Sequence, residues 1–160
     1  MTIRKAENKD TATVLALLHQ VLEVHADLRP DLFISGTTKY TDEELYAIFA
    51  DEKTPVYVAV DENDTVLGYA FCVLEEPVSS NNLHPHRTLY IDDICVDEAA
   101  RGQHVATRLY EHVKAEAERL GCYNITLNVW AGNTGAEQFY SAMGMKPRKT
   151  MLEAILGEEA

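Results

Sequence analysis

The sequence predicts an α/β fold in which helices cover both faces of one mixed β-sheet. The spacing of apolar residues gives the order strand, helix, helix, three strands, helix, strand, helix, strand. Residues 88–129 form a strand, helix, strand unit, which is typical of a right-handed parallel crossover. No repeat, low-complexity tract or linker interrupts the sequence, so we expect a single domain over residues 1–160.

The first third of the chain predicts a short strand and two helices. The strand is expected at residues 2–5. Asp10 stands where it can cap the first helix. The buried face of that helix is predicted from apolar residues at three-four spacing, namely Val14, Leu17, Leu18, Val21 and Leu22. After the loop HADLRPDLFISGTTKY, Thr41 and Glu44 have the spacing of a capping box and predict the start of the second helix.

The remaining elements follow the same two periodicities. Strands are predicted at residues 56–60, 66–74, 88–96, 125–130 and 145–155, and the last two helices are predicted to end at Gly121 and Gly144. The turn sequence DENDT between the first two of these strands predicts a hairpin.

Composition argues against several classes of protein. The formal net charge is -12, so nucleic acid is not expected as the principal ligand, because phosphate contacts need clustered Lys and Arg. The acidity favours a cationic partner, or it only keeps the protein soluble. There is no 18-residue apolar run, and the N-terminus MTIRKAENKD is charged, so we expect a cytoplasmic protein without a membrane partner. The cysteines Cys72, Cys95 and Cys122 are expected to be buried thiols.

The stretch ARGQHVATRLY, residues 100–110, lies directly between a predicted strand and a predicted helix. The first N–H groups of a helix have no intrahelical acceptor and can hold a pyrophosphate where small residues allow close approach. The stretch supplies small, hydroxyl and cationic residues in Gly102, Ala106, Thr107, Arg101 and Arg108. An ordinary helix start is the alternative interpretation.

His104 stands where such turns often carry a glycine. Because residues at a helix start normally have negative φ, we expect His104 to have a negative φ as well. Glycine would then be preferred at this position only because it lets the phosphate approach the backbone closely. The imidazole would then point away or donate a hydrogen bond to phosphate.

Two adjacent carboxylates, Asp92 and Asp93, interrupt the apolar run LYIDDICV. Branched aliphatic residues change from odd positions at Ile91 to even positions at Ile94 and Val96, which predicts a β-bulge at the aspartates. Burying unpaired carboxylates is costly, so the pair indicates either a functional site or a strand that borders a solvent cleft.

The third motif is NVWAGNTGAEQFYSAMGM. Asn133 can cap a helix there, and Phe139 and Tyr140 belong to its apolar face, so a cap and core aromatics are one sufficient interpretation. Tyr140 also carries a proton at neutral pH, and its hydroxyl needs a partner if it is buried.

Together these motifs resemble the GNAT superfamily of acyl-CoA-dependent N-acetyltransferases over nearly the whole chain. The pyrophosphate motif is matched by Arg101, Val105 and Ala106, with Gly102 and Gln103 as typical fillers and His104 in place of the central glycine. The second motif is matched by Asn133, Ala136, Phe139, Tyr140 and Gly144. The resemblance implies a three-layer fold whose mostly antiparallel sheet has six to seven strands, with a parallel pair splayed at the cofactor site.

The resemblance also implies roles for individual residues, with acetyl-CoA as the acyl donor. Main-chain groups of Ile94 and Val96 would bind pantetheine, and an amide near Ile94 would polarise the acetyl carbonyl. The other cofactor-binding positions would be Arg101, Gly102, Gln103, His104, Ala106, Thr107 and Asn133. Asp92 lies where polyamine acetyltransferases carry a glutamate base, and Tyr140 would protonate the leaving thiolate. Asp27, Asp31 and Asp93 would make the acceptor pocket anionic.

We therefore expect an N-acetyltransferase that acts on a primary amine of a small, cationic molecule by direct transfer in a ternary complex. Acetylation of a protein N-terminus or lysine is one alternative, although Asn128 stands where peptide N-terminal acetyltransferases tend to have a glutamate. A CoA-binding sensor without activity is another. His84 and His86 lack a third ligand at useful spacing, so no metal is expected. A homodimer is compatible with the resemblance.

Overall fold

In the computed structural model, which describes residues 1–158, five strands form one sheet in which strands that follow one another along the chain are also neighbours in the sheet. The strands are β1 (Thr2–Lys5), β2 (Val56–Val60), β3 (Val66–Glu75), β4 (Thr88–Val96) and β5 (Asn124–Leu127). The α-helices are α1 (Thr11–Leu28), α2 (Asp42–Ala50), α3 (Val105–Arg119) and α4 (Thr134–Ala142). Strands β1 to β4 are antiparallel and β4 and β5 are parallel, so the predicted mixed α/β fold is confirmed.

Helices pack on both faces of the sheet, as the sequence predicted. On one face, α1 and α2 bury Leu17 and Leu45 against strand residues that include Val58. On the other face, α3 buries Leu109 against strand residues that include Ile91. All five residues of β2 are buried, because both of its faces are covered, and this explains the uninterrupted apolar run VYVAV. Within residues 1–158, no helix combines the length and the apolar character needed to cross a bilayer.

The predicted bulge in β4 is confirmed. Asp93 lies opposite Phe71 and Ile91 lies opposite Cys72, so that Asp92 is the extra residue between two ladder pairs. A bulge reverses the alternation of side chains along a strand, which is the odd-to-even change seen in the sequence.

Strands β4 and β5 separate after a short parallel ladder. The four paired positions run from Thr88 with Asn124 to Ile91 with Leu127. The strand ends there, whereas the sequence predicted that it continues to residue 130. From Asp92 onward, the edge of β4 that faces β5 therefore has no strand partner within residues 1–158.

Two local predictions at helix starts had different outcomes. The capping box is confirmed, since Thr41 accepts from the Glu44 amide and Glu44 accepts from the Thr41 amide. Asp10, in contrast, makes no side-chain cap for α1. Its buried carboxylate binds the Arg4 guanidinium at 2.8 and 2.9 Å and accepts the Glu7 amide, because these stronger charge-assisted bonds compete with the cap.

The final strand predicted at residues 145–155 is wrong for the described structure. Residues 146–158 are all exposed and form no strand, and within residues 1–158 the sheet has five strands, not six to seven. A strand requires a neighbour that completes its backbone hydrogen bonds, and this segment lies beside none.

We expect Gly68→Ala to destabilise the protein by about 1–3 kcal/mol, because overpacking costs this much. A Cβ at Gly68 in β3 would lie 2.8 Å from the Cys95 carbonyl oxygen in β4, and backbone cannot move aside cheaply. The free energy of unfolding from denaturant titration measures the effect. Gly135→Ala in α4 is the control, since a Cβ there meets nothing within 4 Å; equal effects of the two substitutions would contradict the prediction.

Candidate active site

One groove runs along the carboxyl end of β4. Its larger part is a cavity of about 310 Å³ between α1, β4 and α4, and its smaller part is a cavity of about 250 Å³ at the N-terminus of α3. Val96, Arg101, Ala106 and Phe139 line both parts. The larger part opens where β4 and β5 separate, so the groove follows from the short parallel ladder.

The smaller part of the groove contains an uncapped helix start. Helix α3 begins at Val105, and its N-cap residue His104 makes no side-chain hydrogen bond to the helix. Arg108 is the first helical residue whose amide bonds to the turn, through the His104 carbonyl. The amides of residues 105–107 therefore remain available at the positive end of the helix dipole, and such an end binds anions.

The backbone of the turn differs from the sequence expectation. His104 has φ 61° and ψ 26°, which lies in the left-handed region, and Gly102 has φ 79°. The expectation of a negative φ at His104 is therefore wrong, because the residue is the N-cap that reverses the chain and not the first helical residue. Glycine would suit this position for its backbone as well as for its size.

The larger part of the groove is lined by the open edge of β4 and by a glutamine of α1 whose side-chain oxygen has no partner within the described residues. Ile94 and Val96, on the open edge of β4, line this cavity. Gln20 of α1 lines it from the opposite side, and its Oε1 atom is buried without a hydrogen-bond partner in the described residues. Buried polar atoms are normally paired, so this oxygen lowers stability unless a hydrogen-bond donor reaches it.

Asp92 is paired with a lysine from a distant loop. The Lys39 ammonium lies 2.7 Å from Asp92 Oδ2, and the two side chains are 53% and 27% exposed. Lys39 also lies over the Tyr40 ring, 5.3 Å from its centroid. The bulge thus directs a carboxylate to a position where it holds a primary ammonium.

Asp93 is in a different environment. Its Oδ2 accepts a hydrogen bond of 2.6 Å from the hydroxyl of Tyr69, whose side chain is fully buried. The pKa of Asp93 is raised from 3.8 to about 6, mainly because the carboxylate is buried; the Tyr69 hydrogen bond opposes the rise and the charge of Asp92 adds to it. The pair therefore contains one carboxylate that binds a cation and one that titrates near neutral pH.

Tyr140 lies on α4 and lines the larger cavity. Burial raises the pKa of its hydroxyl well above the usual value, and the negative charge of Asp93 adds to this shift. The hydroxyl accordingly stays protonated at neutral pH and can serve as a proton donor.

The structure brings most of the predicted site residues to the groove and leaves others outside. Those that line it are Ile94, Val96, Arg101, Gly102, His104, Ala106, Thr107 and Tyr140. Gln103 is exposed in the turn, and Asn133 caps α4 by accepting the Ala136 amide at 3.3 Å. Asp31 is bound by the Arg29 guanidinium at 2.7 and 2.9 Å, whereas Asp27 is exposed on α1.

Sequence reasoning missed Lys39, Tyr69 and Gln20. Lys39 lies 53 residues before Asp92, in a loop without a motif, so no sequence signal connects the two. The Tyr69 hydroxyl could have been found, because a tyrosine within a buried strand needs a partner for its hydroxyl. Gln20 occupies a polar position between the apolar residues of α1, and only the packing of that helix against β4 places it in the cavity.

Comparisons with known proteins agree with this geometry. The model of the acetyltransferase (GNAT) family matches residues 21–145. A crystal structure of a mutant of the BH1408 protein from Bacillus halodurans has a TM-score of 0.93 and 31% sequence identity, covering 98% of this chain and 99% of that chain. A comparison with curated proteins finds no match.

More distant structures share the fold. Glucosamine-6-phosphate N-acetyltransferase from Arabidopsis thaliana has a TM-score of 0.70 and 20% identity, covering 97% of each chain. An aminoglycoside 6'-N-acetyltransferase from Acinetobacter haemolyticus has a TM-score of 0.70 and 14% identity, covering 99% of this chain and 100% of that chain.

We expect His104→Gly to leave the free energy of unfolding unchanged or to raise it by up to about 1 kcal/mol, because left-handed backbone costs an L-residue roughly 1–2 kcal/mol and the entropy of glycine offsets part of this. Gln103→Gly is the matched control. Gln103 does not have positive φ, so this change should lower the free energy of unfolding. Equal losses in the two variants, measured by denaturant titration, would contradict the left-handed assignment.

We expect Asp93→Asn to be more stable than wild type, by an amount that grows as the pH rises from about 4 to about 6. Above about pH 6 the difference in the free energy of unfolding should reach up to about 3 kcal/mol. The raised pKa means that the folded state of the wild type binds more protons than the unfolded state between these pH values, so the wild type loses stability as Asp93 ionises. Melting curves across pH measure the difference between variant and wild type.

Asp64→Asn is the control, because hydrogen bonds from Lys9 and Arg4 hold the pKa of Asp64 below its usual value. This variant should be less stable than wild type by an amount that stays constant from about pH 4 to about pH 6 and shrinks only below about pH 4. A difference between Asp93→Asn and wild type that does not change between pH 4 and pH 6 would show that Asp93 does not titrate there.

Proposed function

The chain belongs to the GNAT acetyltransferase family, as the motifs predicted, and from the acyl-CoA chemistry of that family we propose that this protein transfers an acetyl group from acetyl-CoA to a primary amine of a small cationic molecule. One observation carries the proposal. The same part of β4 lines the groove that contains the uncapped start of α3 and carries Asp92, whose carboxylate binds the Lys39 ammonium. The helix start suits a pyrophosphate, and the carboxylate suits an amine. Because donor and acceptor sites adjoin, we propose direct transfer in a ternary complex.

The groove fits the acyl donor in two respects. A Cβ at Gly102 would meet nothing within 4 Å, so the turn leaves space for phosphate at the free amides of α3. The unpaired Gln20 Oε1 and the open edge of β4 suit the amides of pantetheine, for which we propose main-chain groups of Ile94 and Val96 as partners. The proposed pyrophosphate ligands are Arg101, Gly102, Gln103, His104, Ala106 and Thr107, with Asn133 fixing the start of α4 beside them. Bound acetyl-CoA supplies the acetyl group as an activated thioester.

Asp92 is the proposed general base. An amine with a pKa near ~10 is protonated at neutral pH, so it must lose a proton before it can attack. Asp92 accepts this proton, directly or through a water molecule, since aspartate is one methylene shorter than the glutamate of similar enzymes. An amide near Ile94 donates a hydrogen bond to the acetyl oxygen and stabilises the charge that develops there.

Tyr140 is the proposed general acid. As the carbon–sulfur bond breaks, its hydroxyl donates a proton to the departing thiolate. The role requires a hydroxyl that is protonated at neutral pH, and a tyrosine hydroxyl meets this requirement. The position of Tyr140 in the wall of the cavity that Ile94 also lines supports the role as well.

The contacts of Lys39 support a cationic acceptor. Its ammonium binds Asp92, over the Tyr40 ring, as the ammonium of an acceptor would. Asp93 adds a second negative charge beside this position once the pH exceeds its pKa of about 6. The acceptor therefore competes with Lys39 for Asp92. Asp31 contributes less than the sequence predicted, because Arg29 already neutralises it.

Thiol release from acetyl-CoA with a panel of amines tests the proposal. The panel contains linear diamines and polyamines, an aminoglycoside, glucosamine 6-phosphate, and peptides with a free N-terminus or lysine. We expect release with small cationic amines and a loss of about 10²-fold or more in Asp92→Asn. Release with peptides alone would indicate a protein acetyltransferase. Binding of acetyl-CoA without acceptor-dependent release would indicate a sensor without transferase activity.

We expect Tyr140→Phe to lower kcat by about 10²-fold or more, because the variant lacks the proposed proton donor. Tyr110→Phe is the matched control, since Tyr110 is a buried tyrosine on α3 that does not line the groove. Near-normal kcat in Tyr140→Phe would remove Tyr140 from the mechanism.

We expect Lys39→Met to lower KM for a cationic acceptor by up to about fivefold. In the variant, the acceptor no longer has to break the ion pair between Lys39 and Asp92, and an exposed ion pair is worth up to about 1 kcal/mol. Lys9→Met removes a comparably exposed ion pair, with Asp64, and should leave KM unchanged. A higher KM in Lys39→Met would instead mean that Lys39 helps to bind the acceptor.

A further inference from the structure

The loop between α1 and α2, which carries Lys39, is attached to the rest of the chain at two points. Glu23 of α1 accepts a hydrogen bond of 2.6 Å from the Gly36 amide. At the other end of the loop, the Tyr40 ring stacks on the Phe71 ring of β3, with 5.8 Å between the ring centroids and an angle of 20° between the planes. Phe71 pairs with β4 at the bulge, so this stacking brings Lys39 to the same part of β4.

Lys39 and Lys9 form similar ion pairs in different places. Their side chains are 53% and 56% exposed, and their ammonium groups lie 2.7 Å from Asp92 and 2.6 Å from Asp64. Asp92 stands two residues before Ile94, which lines the groove, whereas Asp64 lies in the turn between β2 and β3. The two lysines therefore differ mainly in whether the proposed base and donor site lie beside them.

We propose that Lys39 is itself an acceptor and takes one acetyl group from acetyl-CoA bound in the groove of its own chain. The inference rests on the proposed function, because it uses the same donor and the same base. An acceptor amine has to lie against Asp92 beside the groove, and the Lys39 ammonium already does so. Proximity of this kind favours reaction within the chain over reaction with a lysine elsewhere.

The step is an acyl transfer without oxidation or reduction. The Lys39 ammonium gives a proton to Asp92, and the nitrogen lone pair then forms a bond to the acetyl carbon. The carbon–sulfur bond of the thioester breaks, its electron pair leaves with the sulfur, and Tyr140 protonates the thiolate. The nitrogen loses two protons in all, of which one restores the Tyr140 hydroxyl and one is released to water. The products are an amide on Lys39 and CoA with a free thiol.

The modification changes the site that carries it out. Acetylation removes the charge of a lysine and its ability to form an ion pair. Asp92 is then free to bind the ammonium of another acceptor. The acetylated enzyme should therefore behave like Lys39→Met, with KM for a cationic acceptor lowered by up to about fivefold. Self-acetylation thus relieves an inhibitory contact within the chain.

Intact mass and peptide mapping of the full chain with excess acetyl-CoA, without added amine, test the inference. We expect one added acetyl group at Lys39, formed at least about tenfold faster than at the matched residue Lys9. Lys39→Arg should not gain this group. Dilution of the protein from about 100 to about 1 μM should leave the rate constant unchanged, because the step occurs within one chain. Equal rates at the two lysines, or a rate that falls on dilution, overturn the inference.

Asp92→Asn distinguishes transfer by the site from chemical acetylation by free acetyl-CoA. Burial lowers the pKa of Lys39, whereas the hydrogen bond and the charge of Asp92 raise it, and the net change is upward. Without the carboxylate, more of Lys39 is an unprotonated amine, so chemical acetylation would become faster. Transfer that needs the base should instead become slower by about tenfold or more. An unchanged or faster rate overturns the inference.

The amine panel separates failure of this inference from failure of the proposed function. Acetylation of a panel amine while Lys39 stays unmodified overturns the inference and leaves the function standing. Acetylation of neither overturns both. Acetylation of Lys39 faster than Lys9, independent of protein concentration, supports the inference whether or not a panel amine reacts. If Asp92→Asn fails to fold, the comparison of Lys39 with Lys9 in the unmodified chain decides.

Discussion

The separation of β4 from β5 after Ile91 is the constraint on which the rest of the site depends. In a continuous parallel pair, the main-chain groups of β4 beyond this point would bond to the neighbouring strand. Because β5 ends at Leu127, those groups face a cavity between α1 and α4. The bulge at Asp92 lies at the same point, so Asp92 and Asp93 lie next to the part of β4 that has no partner strand. The start of α3 extends the groove, and we propose that the acyl donor and the acceptor amine bind side by side along this part of β4.

Two groups that line this groove, and one carboxylate on the neighbouring part of β4, are held in states that reduce stability. Asp93 is a carboxylate in a poorly solvated position, His104 has a left-handed backbone, and Gln20 has an unpaired buried oxygen. None of these is needed to fold the sheet, which the two apolar clusters on its faces stabilise. Unfavourable groups gathered at one groove are typical of functional sites, because ligand binding and catalysis require them there.

Local signals in the sequence predicted most of the fold, and tertiary contacts determine what they missed. Periodicity gave the helices and the first five strands, and the odd-to-even change beside Asp92 gave the bulge. The pair of Asp92 with Lys39 depends on the path of a loop, which periodicity does not encode. The backbone of His104 depends on how the chain reverses before α3. The missing strand at residues 145–155 had the right pattern but no neighbour, and pairing is a property of the assembled sheet.

The groove beside the open edge of β4 is the proposed site of acyl transfer, and a crystal structure with CoA tests this most directly. We expect the amides of pantetheine to pair with main-chain groups of Ile94 and Val96, and the pyrophosphate to lie against the amides at the start of α3. The sulfur should then lie near Asp92 and Tyr140. A pyrophosphate bound away from the 102–107 turn, or a β5 that extends along β4 and closes the edge, would contradict this assignment.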